Sequence, residues 1–184
     1  MDQDAFARVI SAQTVIPLGI IIVGIFDAIF FSTNRGDKER TKRMLLKSVF
    51  TVYLLVLISF TVLPILIPPM HTEELSYNLN PLTLLYAFSD RATLIDISGN
   101  AVLFMPVAVL GYLCRFNCFS SLKHSAITSL VVSVLLEAVE GLETYFGFAD
   151  FPAVVDVNDV IMNVIGGIVG YVIIKNYQSG RMKL

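Results

Sequence analysis

Five apolar runs, each long enough to cross a bilayer, constrain this chain more than any other feature. They cover about Ser11 to Ser32, Ser48 to Ile67, Ser98 to Cys114, Ser125 to Tyr145 and Asp156 to Ile174. A helix rises about 1.5 Å per residue and the hydrocarbon core is about 30 Å thick, so a run of roughly 20 residues spans it. Backbone polar groups in hydrocarbon must be satisfied within their own segment, which leaves helices as the form for isolated runs. Only 15% of the residues are charged against 55% hydrophobic, too apolar a balance for a water-soluble domain of 184 residues. The expected fold is therefore an all-α integral membrane protein, a five-helix transmembrane bundle.

Charge orients it. Of 13 Lys and Arg, six lie between the first two runs (Arg35, Lys38, Arg40, Lys42, Arg43, Lys47), two after the third (Arg115, Lys123) and three in the tail (Lys175, Arg181, Lys183). All of these fall on one side of a five-span path, leaving Arg8 and Arg91 on the other. The positive-inside rule then predicts the N-terminus outside and the C-terminus cytoplasmic. Met1 to Arg8 carries Asp2 and Asp4 and lacks the basic region that begins a cleaved leader, so it is expected to be retained. Asp27, near the end of the first run, is expected to snorkel to the interface rather than pair with another helix. Three segments follow: 1–45, a first helix with a basic cytoplasmic loop; 46–174, a four-helix domain; and 175–184, a cytoplasmic tail.

Several function classes drop out. The basic residues are not interleaved with stacking aromatics, which excludes a nucleic-acid groove. Cys114 and Cys118 lie on the expected cytoplasmic side, where thiols stay reduced, and with His124 they lack a fourth ligand and CxxC spacing for zinc. No nucleophilic triad, phosphate loop or HExxH is present.

The polar residues inside the apolar runs are more informative. On a helix, Asp156, Asp159 and Asn163 lie three and then four residues apart and share a face. Gly166, Gly167 and Gly170 follow, the first and last in a GxxxG spacing that admits a second helix, from this chain or another copy. Asn100 stands one turn inside the third run, and Pro106 near its middle should bend that helix and free a carbonyl. Glu137 and Glu140, with Glu143 one turn on, lie toward the end of the fourth. In the expected orientation all these polar groups fall within roughly 12 Å of the outer interface.

A carboxylate within a span costs about 2.5 to 3.5 kcal/mol on insertion scales, so these acids should face protein or a wet cavity. Arg91 is the main counter-charge on that side. Three readings fit: an interhelical hydrogen-bond network, a site for a polar headgroup or cationic ligand, and a catalytic acid/base or metal-assisted site. No cofactor motif is present, although carboxylates and amides together suit a divalent cation such as Mg²⁺ or Ca²⁺.

Four blocks resemble the VanZ-like family of membrane proteins, named for a protein linked to teicoplanin resistance. Asn78-Leu79-Asn80-Pro81-Leu82 is similar to the family's NLxPF, with Leu82 for Phe. Asn100 to Pro106 resembles NxxxFxP, with Ala108 where glycine is usual. Glu137-Ala138-Val139-Glu140 resembles ExxQ, and Asp156 to Gly167 matches DxxDxxxNxxGG without a gap. The likeness runs from about Leu46 to Tyr171. The stretch from Glu137 to Asp156 is longer than the family norm, so Glu140 or Glu143 are alternatives for the family's acidic position. An arginine common before the last block is replaced near Ala153.

The resemblance implies a multi-pass plasma membrane protein with a role in the cell envelope and in antibiotic resistance. The expected function is non-enzymatic: binding a lipoglycopeptide or lipid-linked cell-wall glycan at the outer leaflet, among membrane lipids, and altering its access. Its alternatives are a membrane enzyme acting on a lipid-linked phosphate or glycan, and a scaffold subunit.

Overall fold

The computed structural model describes residues 8–33, 37–69, 74–87, 91–150 and 153–181. Five of its helices are long and apolar enough to cross a membrane: α1 (Ala12–Thr33), α2 (Lys38–Val62), α4 (Arg91–Leu113), α5 (Leu122–Phe146) and α6 (Val157–Arg181). A short helix, α3 (Thr83–Ala87), precedes α4. The chain forms two compact units, one of Met1–Tyr77 with Leu136–Val155 and the other of Asn78–Leu135 with Asp156–Leu184.

Most of the long helices outrun the apolar segments that announce them. Hydropathy marks what can sit in hydrocarbon, whereas a helix continues until its capping groups or a proline end it. α2 begins ten residues before Ser48, so Lys38, Arg40, Lys42, Arg43 and Lys47 lie on a helix rather than in a loop. Asp37 caps it, accepting the Arg40 N–H at 3.0 Å. α4 likewise starts at Arg91, seven residues before Ser98. At its other end α2 stops at Val62, because the residue before Pro64 disfavours helical backbone. Ile65–Ile67, expected in the second span, is strand β2.

In the first unit, β2 pairs antiparallel with β1 (Arg8–Ile10), Val9 opposite Leu66. The Leu66 N–H also donates to the Phe148 carbonyl at 2.8 Å. α1 packs on α2, where Gly19 makes room for the Leu55 side chain, yet no α1 residue is buried. Asp27, expected to snorkel, is instead found paired with another helix: its carboxylate accepts the Ser48 hydroxyl of α2 at 2.7 Å. The interhelical partner wins because a hydroxyl within reach satisfies a half-buried carboxylate more directly than a stretch to the interface.

Strands β3 (Ser76–Asn78) and β4 (Val154–Asp156) form a second two-stranded sheet, and the chain passes between units within both. Asp156, expected in the first turn of the last helix, is the final residue of β4. Its carboxylate accepts the Asn158 N–H at 2.8 Å, the bond of an N-cap to the second helical residue. Asp159 follows in the first turn, where a negative charge complements the helix dipole.

α4 and α6 pack backbone to backbone in the second unit. A Cβ at Gly166 would collide with the Ala101 carbonyl, and one at Gly170 with the Met105 carbonyl, each four residues further along its helix. The GxxxG spacing is thus filled by a helix of the same chain. Pro106 sits inside α4, which continues through it to Leu113. There α4 ends in a Schellman motif: Phe116 N–H donates to the Gly111 carbonyl at 3.1 Å and Arg115 N–H to the Tyr112 carbonyl at 3.0 Å. The left-handed residue of that motif is Arg115, with φ of 60°, where glycine would be unstrained.

Candidate functional site

The start of α6 gathers polar side chains from three segments of the second unit. Asn78, at the end of β3, donates from Nδ2 to both oxygens of Asp156 at 3.1 Å and to Thr83 Oγ1 at 2.9 Å. Asn158 donates from its own Nδ2 to the same Thr83 Oγ1 at 2.7 Å. Thr83 spends its one hydroxyl proton on the Asn80 carbonyl at 2.7 Å. The loop that brings Asn78 and Thr83 together is tied by Asx turns, with Asn80 N–H on Asn78 Oδ1 and Leu82 N–H on Asn80 Oδ1.

These bonds fix both amides. Since the Thr83 proton is already committed, both neighbours must present N–H groups to its oxygen, so neither carboxamide can be turned round. Asn158 Oδ1 is then left as an acceptor that no donor of the cluster bonds. It is buried and has no hydrogen-bond partner among the described residues, on a side chain only 2% exposed. An unpaired buried acceptor of this kind costs about 1 to 3 kcal/mol. Leu79, Leu82, Leu85 and Tyr86, of the same loop and of α3, are exposed.

A second polar layer lies along α5 and α6. Ser125, Ser129 and Ser133 recur every fourth residue on α5, each almost fully buried. Ser125 donates to the Gly167 carbonyl at 3.0 Å, and Asn163 donates from Nδ2 to Ser133 Oγ at 2.8 Å. Ser129 Oγ stands where a Gly167 side chain would be, and neither it nor Asn163 Oδ1 has a partner among the described residues. Gly166, Gly167 and Gly170 thus serve three close approaches: two to α4 and one to the α5 serines.

The expected site residues are divided by this arrangement. Asp156, Asp159, Asn163 and Asn100 belong to the second unit, and Glu137 and Glu140 to the first. Asp156 is at the centre of the first layer and Asn163 of the second. Asn100 is half-buried on α4, beside the Ala101 carbonyl that meets Gly166, and is not hydrogen-bonded into the cluster among the described residues. Glu137 is 7% exposed, one helical step of four beyond Ser133. Glu140 and Glu143 line a cleft of about 120 Å³ with Asp150, Thr61 and Pro64, all in the first unit. The Arg91 side chain lies outside the described residues.

Three participants escaped the sequence reading. Asn158 sits between two acids whose spacing drew attention past it. Thr83 follows the Asn78–Leu82 block and offers no pattern of its own. The serine stripe was readable, since 125, 129, 133 and 137 keep a four-residue period of small or polar groups through an apolar run. Among the described residues, no group of three or more His, Cys, Asp and Glu is placed to hold a metal ion.

A family model described as VanZ/LLP1 matches residues 50–178. The chain belongs to the VanZ/LLP1 family. The match takes in α4, α5, nearly all of α6 and both polar layers, and begins partway along α2, leaving α1 outside. Comparison with curated proteins and with solved structures gives no match. With its five span-length helices, this VanZ/LLP1 protein is a membrane protein.

Proposed function

We propose that this VanZ/LLP1 protein is a non-enzymatic component of the cell envelope, multi-pass in the plasma membrane with its N-terminus outside and its C-terminus cytoplasmic. In this reading the start of α6 faces the outer leaflet and takes the polar part of an amphipathic ligand, a lipid-linked glycan or a lipoglycopeptide. The observation that carries it is Asn158 Oδ1: a buried acceptor without a donor, held by a network that leaves it no way to turn. A hydroxyl, amide or ammonium of the ligand would recover the hydrogen bond, and the exposed Leu79, Leu82, Leu85 and Tyr86 supply an apolar rim for its acyl part. The family name supports a link to glycopeptides.

The test is teicoplanin sensitivity of a susceptible bacterial host expressing wild type, Asn158→Leu or Asp159→Asn, with membrane abundance matched. Asn158→Leu removes the orphan acceptor while Thr83 Oγ1 keeps its Asn78 donor, so the protein should fold and protection should be lost. Asp159→Asn keeps the shape and should retain protection, whereas an enzyme using Asp159 as base would lose it. Absence of protection by wild type would refute the proposal.

A further inference from the structure

The other end of the second unit has the opposite chemistry. Tyr112, Arg115, Phe116, Phe119, Ser120 and Gln178 line a cleft of about 270 Å³ where α4 ends and α5 begins, against the last turns of α6. Its floor is firm, because the Phe119 ring occupies the space a side chain at Gly111 would need and is 3% exposed. Its wall is Tyr112, which stacks edge-on with Tyr171 at 5.6 Å, and Lys175 lies over the Tyr171 ring at 5.5 Å.

Arg115 is exposed at this cleft, and two of its features bear on what it could hold. It holds the left-handed position of a Schellman motif, where glycine would be unstrained. Its guanidinium, with five donors, has no ion-pair partner among the described residues. None can be close in sequence, for residues 97–136 and 160–184 contain no Asp or Glu. Arg115, Lys123, Lys175, Arg181 and Lys183 all lie within those two segments. A cleft with a planar cation, a hydroxyl and an amide, aromatic walls and no acid among its lining residues suits a phosphate with an apolar tail attached.

We infer that this cleft binds the phosphate of an anionic phospholipid through Arg115. Lipid rather than free phosphate is favoured by the walls: Phe116 and Tyr112 offer apolar surface where acyl chains would leave the headgroup, at the end of span-length helices. The positive end of a membrane protein also meets the leaflet richest in anionic lipid. The cleft shares no side chain with the polar cluster at the start of α6.

The experiment is native mass spectrometry of the full chain in neutral detergent, titrated with phosphatidylglycerol or with phosphatidylcholine of the same acyl chains. Variants are Arg115→Gln, Arg115→Gly and, as a charge control remote in sequence, Lys42→Gln. Wild type should retain phosphatidylglycerol in preference to phosphatidylcholine. Either Arg115 variant should weaken that retention by about fivefold, the contribution of one basic residue at an anionic surface, and Lys42→Gln should not. Arg115→Gly relieves the backbone, so loss of lipid from this variant cannot be misfolding if its melting temperature holds or rises. Equal retention by Arg115→Gly, equal loss in Lys42→Gln, or no preference for phosphatidylglycerol would overturn the inference. Displacement of phosphatidylglycerol by millimolar inorganic phosphate would overturn the assignment to lipid.

Discussion

One chemical change, Gly→Ala, should have opposite signs at different places on these helices. At Gly24 and Gly99, the adjoining helical backbone aside, no heavy atom of the described residues lies within 4 Å of an added methyl. Alanine there should stabilise by up to about 1 kcal/mol, the helix-propensity difference, because the methyl meets nothing. At Gly166 and Gly170 the methyl would enter the Ala101 and Met105 carbonyls, which are backbone and cannot rotate aside. The helices would have to part by about 1 Å to restore van der Waals distances, and overpacking of this kind costs about 1 to 3 kcal/mol. Subtracting the propensity gain leaves each substitution destabilising by roughly 0 to 2 kcal/mol. The double variant should cost less than the sum, since one separation of α4 from α6 relieves both clashes. The assay is unfolding in mixed micelles of increasing denaturing detergent, read by circular dichroism. If Gly166→Ala and Gly170→Ala both unfold as late as Gly24→Ala, the close approach of α4 and α6 is wrong.

Other perturbations separate the polar layers. Asp156→Ala removes the α6 cap and leaves the Asn78 amide short of an acceptor, so it should cost about 1 to 3 kcal/mol in the same unfolding assay, and Asp156→Ser should recover part of that loss. Ser48→Ala should destabilise by about 1 kcal/mol by taking the hydroxyl from Asp27, and Asp27→Leu with Ser48→Ala should recover stability, as removing both partners spares the desolvation cost. Arg115→Gly should raise the melting temperature in neutral detergent by relieving a left-handed residue, a gain of about 1 kcal/mol.

What the sequence made legible follows from what each signal measures. Hydropathy found every span, because burial in hydrocarbon is a property of the run itself, but it missed the ends of α2 and α4, where polar turns continue the helix. The family-like blocks located the right residues and left their roles open: Asp156 reads as one member of a helical face, yet it caps that helix from a strand. Periodicity cannot foresee this, because a cap and a first-turn residue occupy adjacent positions. Asn158 and Thr83 meet across 75 residues of chain, a pairing with no local pattern at all. The four short strands were equally hidden, being three residues each.

The two ends of α6 differ in what they leave unsatisfied, and that difference limits any ligand. At its start the helix dipole would draw an anion, but Asp156 already caps it and Asp159 adds a second acid. The remaining capacity there is Asn158 Oδ1, an acceptor, so a phosphate would meet only repulsion and an unpaired lone pair, while a hydroxyl or ammonium would be matched. Near its end the remaining capacity is Arg115, a donor with no acid close in sequence, where the preference reverses. Val157–Arg181 spans about 37 Å at the α-helical rise, so one small headgroup cannot serve both places. Phosphatidylglycerol should therefore leave teicoplanin protection unchanged when its retention is lost through Arg115→Gly. Joint loss of both properties in that variant, at normal abundance, would mean that the two ends act on a single process.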